Sequence, residues 1–176
     1  EEALDSLFRK HSGDPLQHGW RIKMQYRFRY FPPEAWYQAV VDQIVTDECR
    51  WIDVGGGKSI FPDNHKLSRE LAERCDHLVG VDPSDNLDQN DLVDERCKAT
   101  IEQYHRDEDF DLATHRMLAE HIEQPEMVVQ SLARLIKPTG YVVIYTPNRW
   151  SFLSAMASLI PNSLHAFLAR LLAPDR

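Results

Sequence analysis

Two carboxylates and a run of three glycines are the residues of this chain best suited to hold a ligand. Asp53 stands two residues before Gly55-Gly56-Gly57, and Asp82 closes the next apolar run, Leu78-Val79-Gly80-Val81. Glycine lacks a Cβ, so three in succession let the backbone take positive φ and let a ligand approach the main chain closely. A carboxylate at the end of a second strand can accept from two vicinal hydroxyls at once, as a ribose presents them. Together these residues imply an adenosine-containing ligand. The elements that must position them are legible nearby. Trp51 to Val54 reads as a buried strand that turns sharply at the glycines. Asn64 is a helix cap, and Leu67, Leu71 and Cys75 recur at a spacing of four, the core face of a helix. A strand, a glycine loop, a helix and a second strand follow one another, each strand ending on an acid. In open parallel sheets ligands sit at these carboxyl ends.

Three motifs compete for the glycine loop. Gly57-Lys58-Ser59 ends like a P-loop, but the first glycine that motif needs would stand at Ile52, inside the strand. The dinucleotide pattern G-x-G-x-x-G has Ile60 where its third glycine belongs. The third pattern, D-x-G-x-G over Asp53 to Gly57, resembles the first motif of class I S-adenosylmethionine-dependent methyltransferases. A tight strand-to-helix turn without a ligand is the plain alternative.

A length of 176 residues holds one domain with a real core, and 43% hydrophobic with 27% charged residues describes a folded rather than a disordered chain. The net charge of −8 argues against a general nucleic-acid binder. Charge is uneven: acids dominate from Asp82 to Glu126, whereas Arg21, Lys23, Arg27 and Arg29 make the N-terminal part basic. Ordinary solvated surface accounts for that asymmetry. Cys49, Cys75 and Cys97 are widely spaced, which points to reduced thiols in a cytoplasmic compartment and away from a disulfide framework or zinc site. No apolar run reaches the ~18 residues of a membrane span. The chain begins at Glu1 rather than methionine, as a fragment or processed product does.

In residues 1–30, Trp20, Tyr26, Phe28 and Tyr30 alternate with arginines. Base stacking beside phosphate contacts is one reading; a cover that packs its aromatic faces on the domain is the favoured one. Pro33 suits the first turn of a helix whose apolar face is Trp36, Val40 and Ile44 with Val41 and Val45. Past an acid-rich loop, Cys97 to Ile101 reads as a short third strand, Phe110 to Thr114 as a fourth ending at His115, and Tyr141 to Thr146 as a fifth. Between the last two, Pro125 starts a helix with Val128, Val129, Leu132 and Ile136 toward the core, stopped by Lys137-Pro138-Thr139-Gly140. Alternation of helix and strand predicts an α/β fold, a Rossmann-like doubly wound, mostly parallel sheet with helices on both faces.

Phe110-Asp111-Leu112, Glu120-His121-Ile122, Leu135 to Gly140 and Thr146-Pro147-Asn148 resemble the fourth-to-fifth-strand portion of the type 11, ubiquinone-biosynthesis-like branch of class I methyltransferases. Its pattern is FDL, EHI or EHV, LKPGG, a strand and TPN; Thr139 replaces a glycine. With the glycine-loop motif, the resemblance covers Arg50 to Arg149. It implies S-adenosyl-L-methionine as cofactor, with Asp53 and the Gly55, Gly56 and Gly57 backbone at its methionine end and Asp82 at the ribose. Thr100 and Ile101 fall beside adenine, Thr100 where the family usually has an acid, and His115 lines the pocket near the transferred methyl. His121 is either a general base for a hydroxyl substrate or, with Glu120, a cap of the following helix that orients the loop. A Glu/His metal site lacks other ligands at a suitable spacing, so no metal is expected.

The tail carries two apolar stripes, Phe152 to Ile160 and Leu164 to Leu172, either packed on the domain or set against a membrane surface and a lipid-linked substrate. The resemblance implies two further strands that the sequence does not contain, so the expectation is a chain cut short, its fifth strand incompletely paired. The resulting division is a cover segment and helix at 1–49, a cofactor-binding core at 50–149 and an incomplete substrate or lid region at 150–176. The function implied is methyl transfer, most plausibly to oxygen of a small-molecule or lipid-linked acceptor. A catalytically degenerate binding module and a nucleotide- or NAD-binding Rossmann protein are the alternatives.

Overall fold

Alternation along the strands decides which layer each side chain enters. In β1 (Arg50–Val54), Trp51 and Asp53 point to one face of the sheet while Ile52 and Val54 point to the other. The computed structural model describes residues 2–12, 17, 20–105 and 109–148. Five strands form one parallel sheet: β1, β2 (His77–Val81), β3 (Glu95–Cys97), β4 (Phe110–Arg116) and β5 (Ile136–Tyr145), in the order β3-β2-β1-β4-β5. The order reverses at β1, between β2 and β4, and that places a crevice at the carboxyl end of β1.

One layer is built on Trp51, Leu78 and Leu112, covered by α1 (Glu2–Ser12), α3 (Pro33–Ile44) and α4 (His65–Arg74) through Leu4, Leu7, Tyr37, Val41, Leu67 and Leu71. The opposite layer joins Ile52, Val79 and Ala113 to Val128, Leu132 and Leu135 of α5 (Pro125–Leu135). The expected doubly wound sheet with helices on both faces is therefore present. The Asn64 side chain caps α4, accepting from the Leu67 N–H at 3.2 Å.

Several local expectations shift. α3 buries Tyr37 and Val41, and Val45 just past its end, while Trp36 and Val40 are exposed, so its buried stripe is rotated by one residue. Aromatic packing sets that rotation: Tyr37 stacks on Tyr145 at 5.4 Å and meets Phe61 edge-on at 5.8 Å. On α5, Val129 is 64% exposed and Leu135 takes its place in the core. β3 ends at Cys97, and Ile101–Gln103 is a tight helical turn rather than strand, with Lys98 between them paired to Asp85 and Asp88. β5 starts early: Ile136 pairs with Phe110 and Tyr141 with Leu112, so Lys137 to Gly140 is an irregularity inside the strand rather than a turn before it.

Near the N-terminus the cover is made by α1 rather than by the aromatic ladder. Leu4, Leu7 and Phe31 enter the core, with Phe8 and Tyr26 partly buried against them. Trp20 and Tyr30 are each 76% exposed, and Phe28 is also outside. A helix offering Leu4, Leu7 and Phe8 on one stripe seals the layer better than alternating aromatics on α2 (Trp20–Arg27) and its exit. The tail stripes after Arg149 lie outside the described residues.

Asp111 ties three strands at their amino ends. Its carboxylate accepts from the Arg50 N–H at 3.0 Å and from the Lys137 ammonium at 2.8 and 2.9 Å. On the outer edge, β5 exposes Tyr141, Val142 and Ile144. Leu132→Ala should lower unfolding free energy by roughly 2–5 kcal/mol, whereas Val129→Ala should stay within about 0.5 kcal/mol. Urea denaturation of both variants checks the orientation of α5; equal losses would contradict it.

Candidate functional site

The three glycines of the bend are needed for two different reasons. Gly55 and Gly57 adopt φ of 73° and 49°, a region that side-chain-bearing residues rarely enter. Gly56 is needed for space: a Cβ there would collide with Asp53 Oδ2. The bend thus folds directly over the Asp53 carboxyl. Gly55 N–H donates to the Val81 carbonyl at 2.8 Å and Gly57 N–H to Asp82 Oδ2 at 3.0 Å, so the loop is tied to the end of β2. Asp82 Oδ1 accepts from the Ser84 N–H at 2.7 Å. Each Asp82 oxygen retains a second lone pair, and the carboxylate orientation is fixed before any ligand arrives.

Asp53 is only 2% exposed. Its Oδ1 accepts from the Thr114 hydroxyl at 2.7 Å, and that hydroxyl accepts from the Trp51 indole N–H at 2.7 Å. Its Oδ2 is buried with no protein partner. Burial pushes the carboxyl up to about 7; the Thr114 hydrogen bond and Arg116 oppose that rise, and Asp82 adds to it. A buried carboxyl with one oxygen unsatisfied, beneath a bend that admits no side chain, has the chemistry to accept from a donor outside the chain.

His115 has both ring nitrogens buried and unpartnered. Burial lowers its pKa, partly opposed by Glu120, so the ring is a neutral donor and acceptor. Met117, just past β4, has φ of 51° and turns the chain into the segment that walls the cleft.

That cleft has a volume of ≈ 630 Å³ and gathers Gly55, Asp82, Thr100, Ile101, His115 and His121. Within it, Ile101 is buried while Thr100 and His121 are exposed. A second hollow of ≈ 450 Å³ is lined by Asp53, Gly55, Gly56 and Gly57 with Lys58, His65 and Arg116. Gly55 belongs to both, so every candidate site residue named from the sequence borders one or other hollow. The alternative role for Glu120 and His121 does not hold as stated: they form a helical turn at Ala119–His121, and α5 is preceded by Gln124 with no side-chain cap. Pro125, lacking an N–H, already removes one of the donors a cap would serve. Among the described residues no three of His, Cys, Asp or Glu gather as metal ligands.

Thr114, Trp51 and Arg116 were not singled out from the sequence. Trp51 and Asp53 share a strand face by alternation, but only the parallel register, with Asp53 opposite Thr114, brings the hydroxyl between them. Arg116 enters through its ion pair with Glu34 of α3, 2.8 Å, which the sequence gives no means to pair.

Solved structures share this fold. The N-methyltransferase NodS of Bradyrhizobium japonicum superposes with a TM-score of 0.53 at 14% identity, over 70% of this chain and 79% of that one. YcgJ of Bacillus subtilis gives 0.51 at 19% identity, over 61% and 48%. Residues 16–172 match the family model described as a methyltransferase domain. This chain belongs to that methyltransferase family, as its motifs imply. Among curated relatives, it is 32% identical over 156 residues to a ubiquinone biosynthesis O-methyltransferase of Nitrosomonas europaea, covering 77% of this chain and 63% of that protein. It is 30% identical over 137 residues to the protein of the same name from Marinobacter nauticus, covering 66% and 55%. The chain therefore spans less than two thirds of the length of these relatives. The family does not favour the alternative of a nucleotide- or NAD-binding protein.

The buried carboxyl has a consequence for stability. The folded chain holds the Asp53 proton with a pKa of about 7, against an ordinary value of 3.8, so stabilisation is full below about pH 4 and is lost as pH rises to 7. Asp53→Asn removes that ionisation. In the ligand-free protein it should raise unfolding free energy at pH 8 by on the order of 2–4 kcal/mol and give no gain at pH 4. Chemical denaturation at the two pH values measures the difference. A gain of equal size at both would mean that the carboxyl is not the cause.

Proposed function

We propose that the protein is an S-adenosylmethionine-dependent methyltransferase that methylates oxygen on a small-molecule or lipid-linked acceptor. The observation that carries the reading is the pairing of an unsatisfied, buried Asp53 oxygen with a fixed Asp82 carboxylate on either flank of a glycine bend. These groups suit a ligand with an ammonium at one end and a ribose in its middle. The bound cofactor supplies a methyl group on a positively charged sulfur. The chain's own residues then have separable tasks. Asp53 and the Gly55–Gly57 backbone hold the aminoacyl end, and Asp82 accepts from the ribose hydroxyls. Thr100 and Ile101 flank the adenine. The neutral His115 ring stands toward the reacting end, and apolar Leu118, Ile122 and Met127 in the cleft wall limit water there.

His121 is the base we assign to the acceptor hydroxyl, because it is an imidazole that stands in the cleft wall and is exposed to solvent, which can carry the proton away. The choice of oxygen and of a lipid-like acceptor draws support from the names of the ubiquinone biosynthesis O-methyltransferases that the chain resembles. Isothermal titration with S-adenosylhomocysteine, ATP and NAD tests the cofactor, and binding of only ATP or NAD would overturn it. Asp82→Ala should weaken S-adenosylhomocysteine by ~1.5–3 kcal/mol, and an unchanged affinity would remove Asp82 from the site. With a polyphenol acceptor, His121→Ala should lower kcat by about 10²–10⁴-fold with little change in cofactor affinity.

A further inference from the structure

The Asp53 carboxyl does not choose its own orientation. Trp51, Thr114 and Asp53 lie on one face of two adjacent parallel strands, and all three are buried, Trp51 and Thr114 completely. The indole N–H of Trp51 is a donor only. Its 2.7 Å bond to Thr114 Oγ1 therefore occupies the hydroxyl as an acceptor. The hydroxyl hydrogen is left for Asp53 Oδ1, also at 2.7 Å. Direction along this chain is forced: indole to hydroxyl, hydroxyl to carboxylate. Threonine's branched Cβ adds stiffness, since it restricts χ1. The carboxyl is left with Oδ2 buried directly beneath Gly56, and Asp53 is one of the residues of the hollow that Lys58, His65 and Arg116 also line.

From this geometry we infer that Thr114, its hydroxyl oriented by Trp51, is a positioning residue that presents Asp53 Oδ2 to the primary ammonium of the ligand. The inference deepens the methyltransferase reading and rests on it. Other charged groups act on Asp53 from each side. Arg116 of β4 favours the carboxylate but is shared with Glu34, Asp82 past β2 disfavours it, and the buried Tyr37 phenol of α3 stands near it. None of these fixes which oxygen faces the bend. The hydroxyl bond holds Oδ1 and so leaves Oδ2 toward the bend, with the Tyr37 phenol beside the same hydroxyl.

The experiment compares two nucleosides on wild type, Thr114→Val and Thr114→Ser: S-adenosylhomocysteine, which has the ammonium, and 5′-methylthioadenosine, which lacks it. Affinities are read by calorimetry from pH 6 to 9. Thr114→Val should weaken S-adenosylhomocysteine at least about tenfold at pH 7, with the loss shrinking toward pH 9 as the carboxyl ionises, and should leave methylthioadenosine unchanged. Thr114→Ser should bind within about threefold of wild type, since it keeps the hydroxyl. Carbon-13 NMR of the ligand-free protein should show the Asp53 carboxyl titrating at higher pH in the valine variant. Equal loss of both nucleosides, a loss independent of pH, or no rescue by serine overturns the positioning role while wild-type binding preserves the family reading. Wild type binding neither nucleoside overturns both. If the valine variant does not fold, Trp51→Phe frees the hydroxyl to rotate. It should then weaken S-adenosylhomocysteine selectively, and an unselective or absent effect overturns the inference.

Discussion

The site depends on one carboxyl group placed where water cannot reach it. Asp53 occupies a strand position that would ordinarily hold an apolar side chain, between Trp51 below and the glycine bend above. Burying a carboxylate without a full set of partners is costly, and the fold offsets only half of that cost internally, through Thr114. The unsatisfied half faces the loop. Everything around it follows from keeping that oxygen free. Gly56 has no side chain to collide with it. Gly55 and Gly57 bend the backbone around it, and Asp82 anchors the bend from the next strand.

Rigid support for the bend comes from the opposite end of the same strands. Asp111 accepts from the backbone of β1 and from Lys137 of β5, while Arg50 reaches the carboxylate and carbonyl of Asp109 at 2.7 and 3.1 Å. These contacts pin the register of β1, β4 and β5 where the strands begin. A slip of one residue between β1 and β4 would remove Thr114 from Asp53. The FDL and LIKPTG motifs can thus be read as register devices. Phe110 and Leu112 fill opposite layers of the core, and the acid and lysine between those layers lock the strands. They hold the site's geometry without touching it.

This division explains what the sequence disclosed. The sheet class, the helix cap at Asn64, the glycine bend and its two acids are local patterns, each set by residues close together in the chain. What depended on pairing was hidden. The Trp51–Thr114–Asp53 chain requires the parallel register, and the rotation of α3 requires Tyr145 to arrive against Tyr37. The surplus of apolar residues on α3 and α5 let two neighbouring faces compete, and only packing decided between them. On α2 the aromatic and arginine alternation suggested a cover, yet the better amphipathic stripe on α1 had already closed that layer. The bulge that begins β5 reads as a turn because proline and glycine mark both; the difference is whether Ile136 has already paired with Phe110.

The two hollows that meet at Gly55 also differ in kind, and that difference bears on selectivity. Around the smaller one stand Lys58, His65 and Arg116 with the buried Asp53 carboxyl, a setting for a ligand end that carries both charges. The larger has Asp82 at one side and then becomes largely apolar through Val54, Val81, Leu118, Ile122, Met127 and Val128. A ligand crossing from one to the other must pass the glycine bend, where only backbone is exposed to it. The proposed cofactor, zwitterionic at one end and aromatic at the other, matches that division. The smaller hollow thus sets one buried acid among three basic side chains, whereas the larger offers a carboxylate at its rim and an apolar wall beyond it.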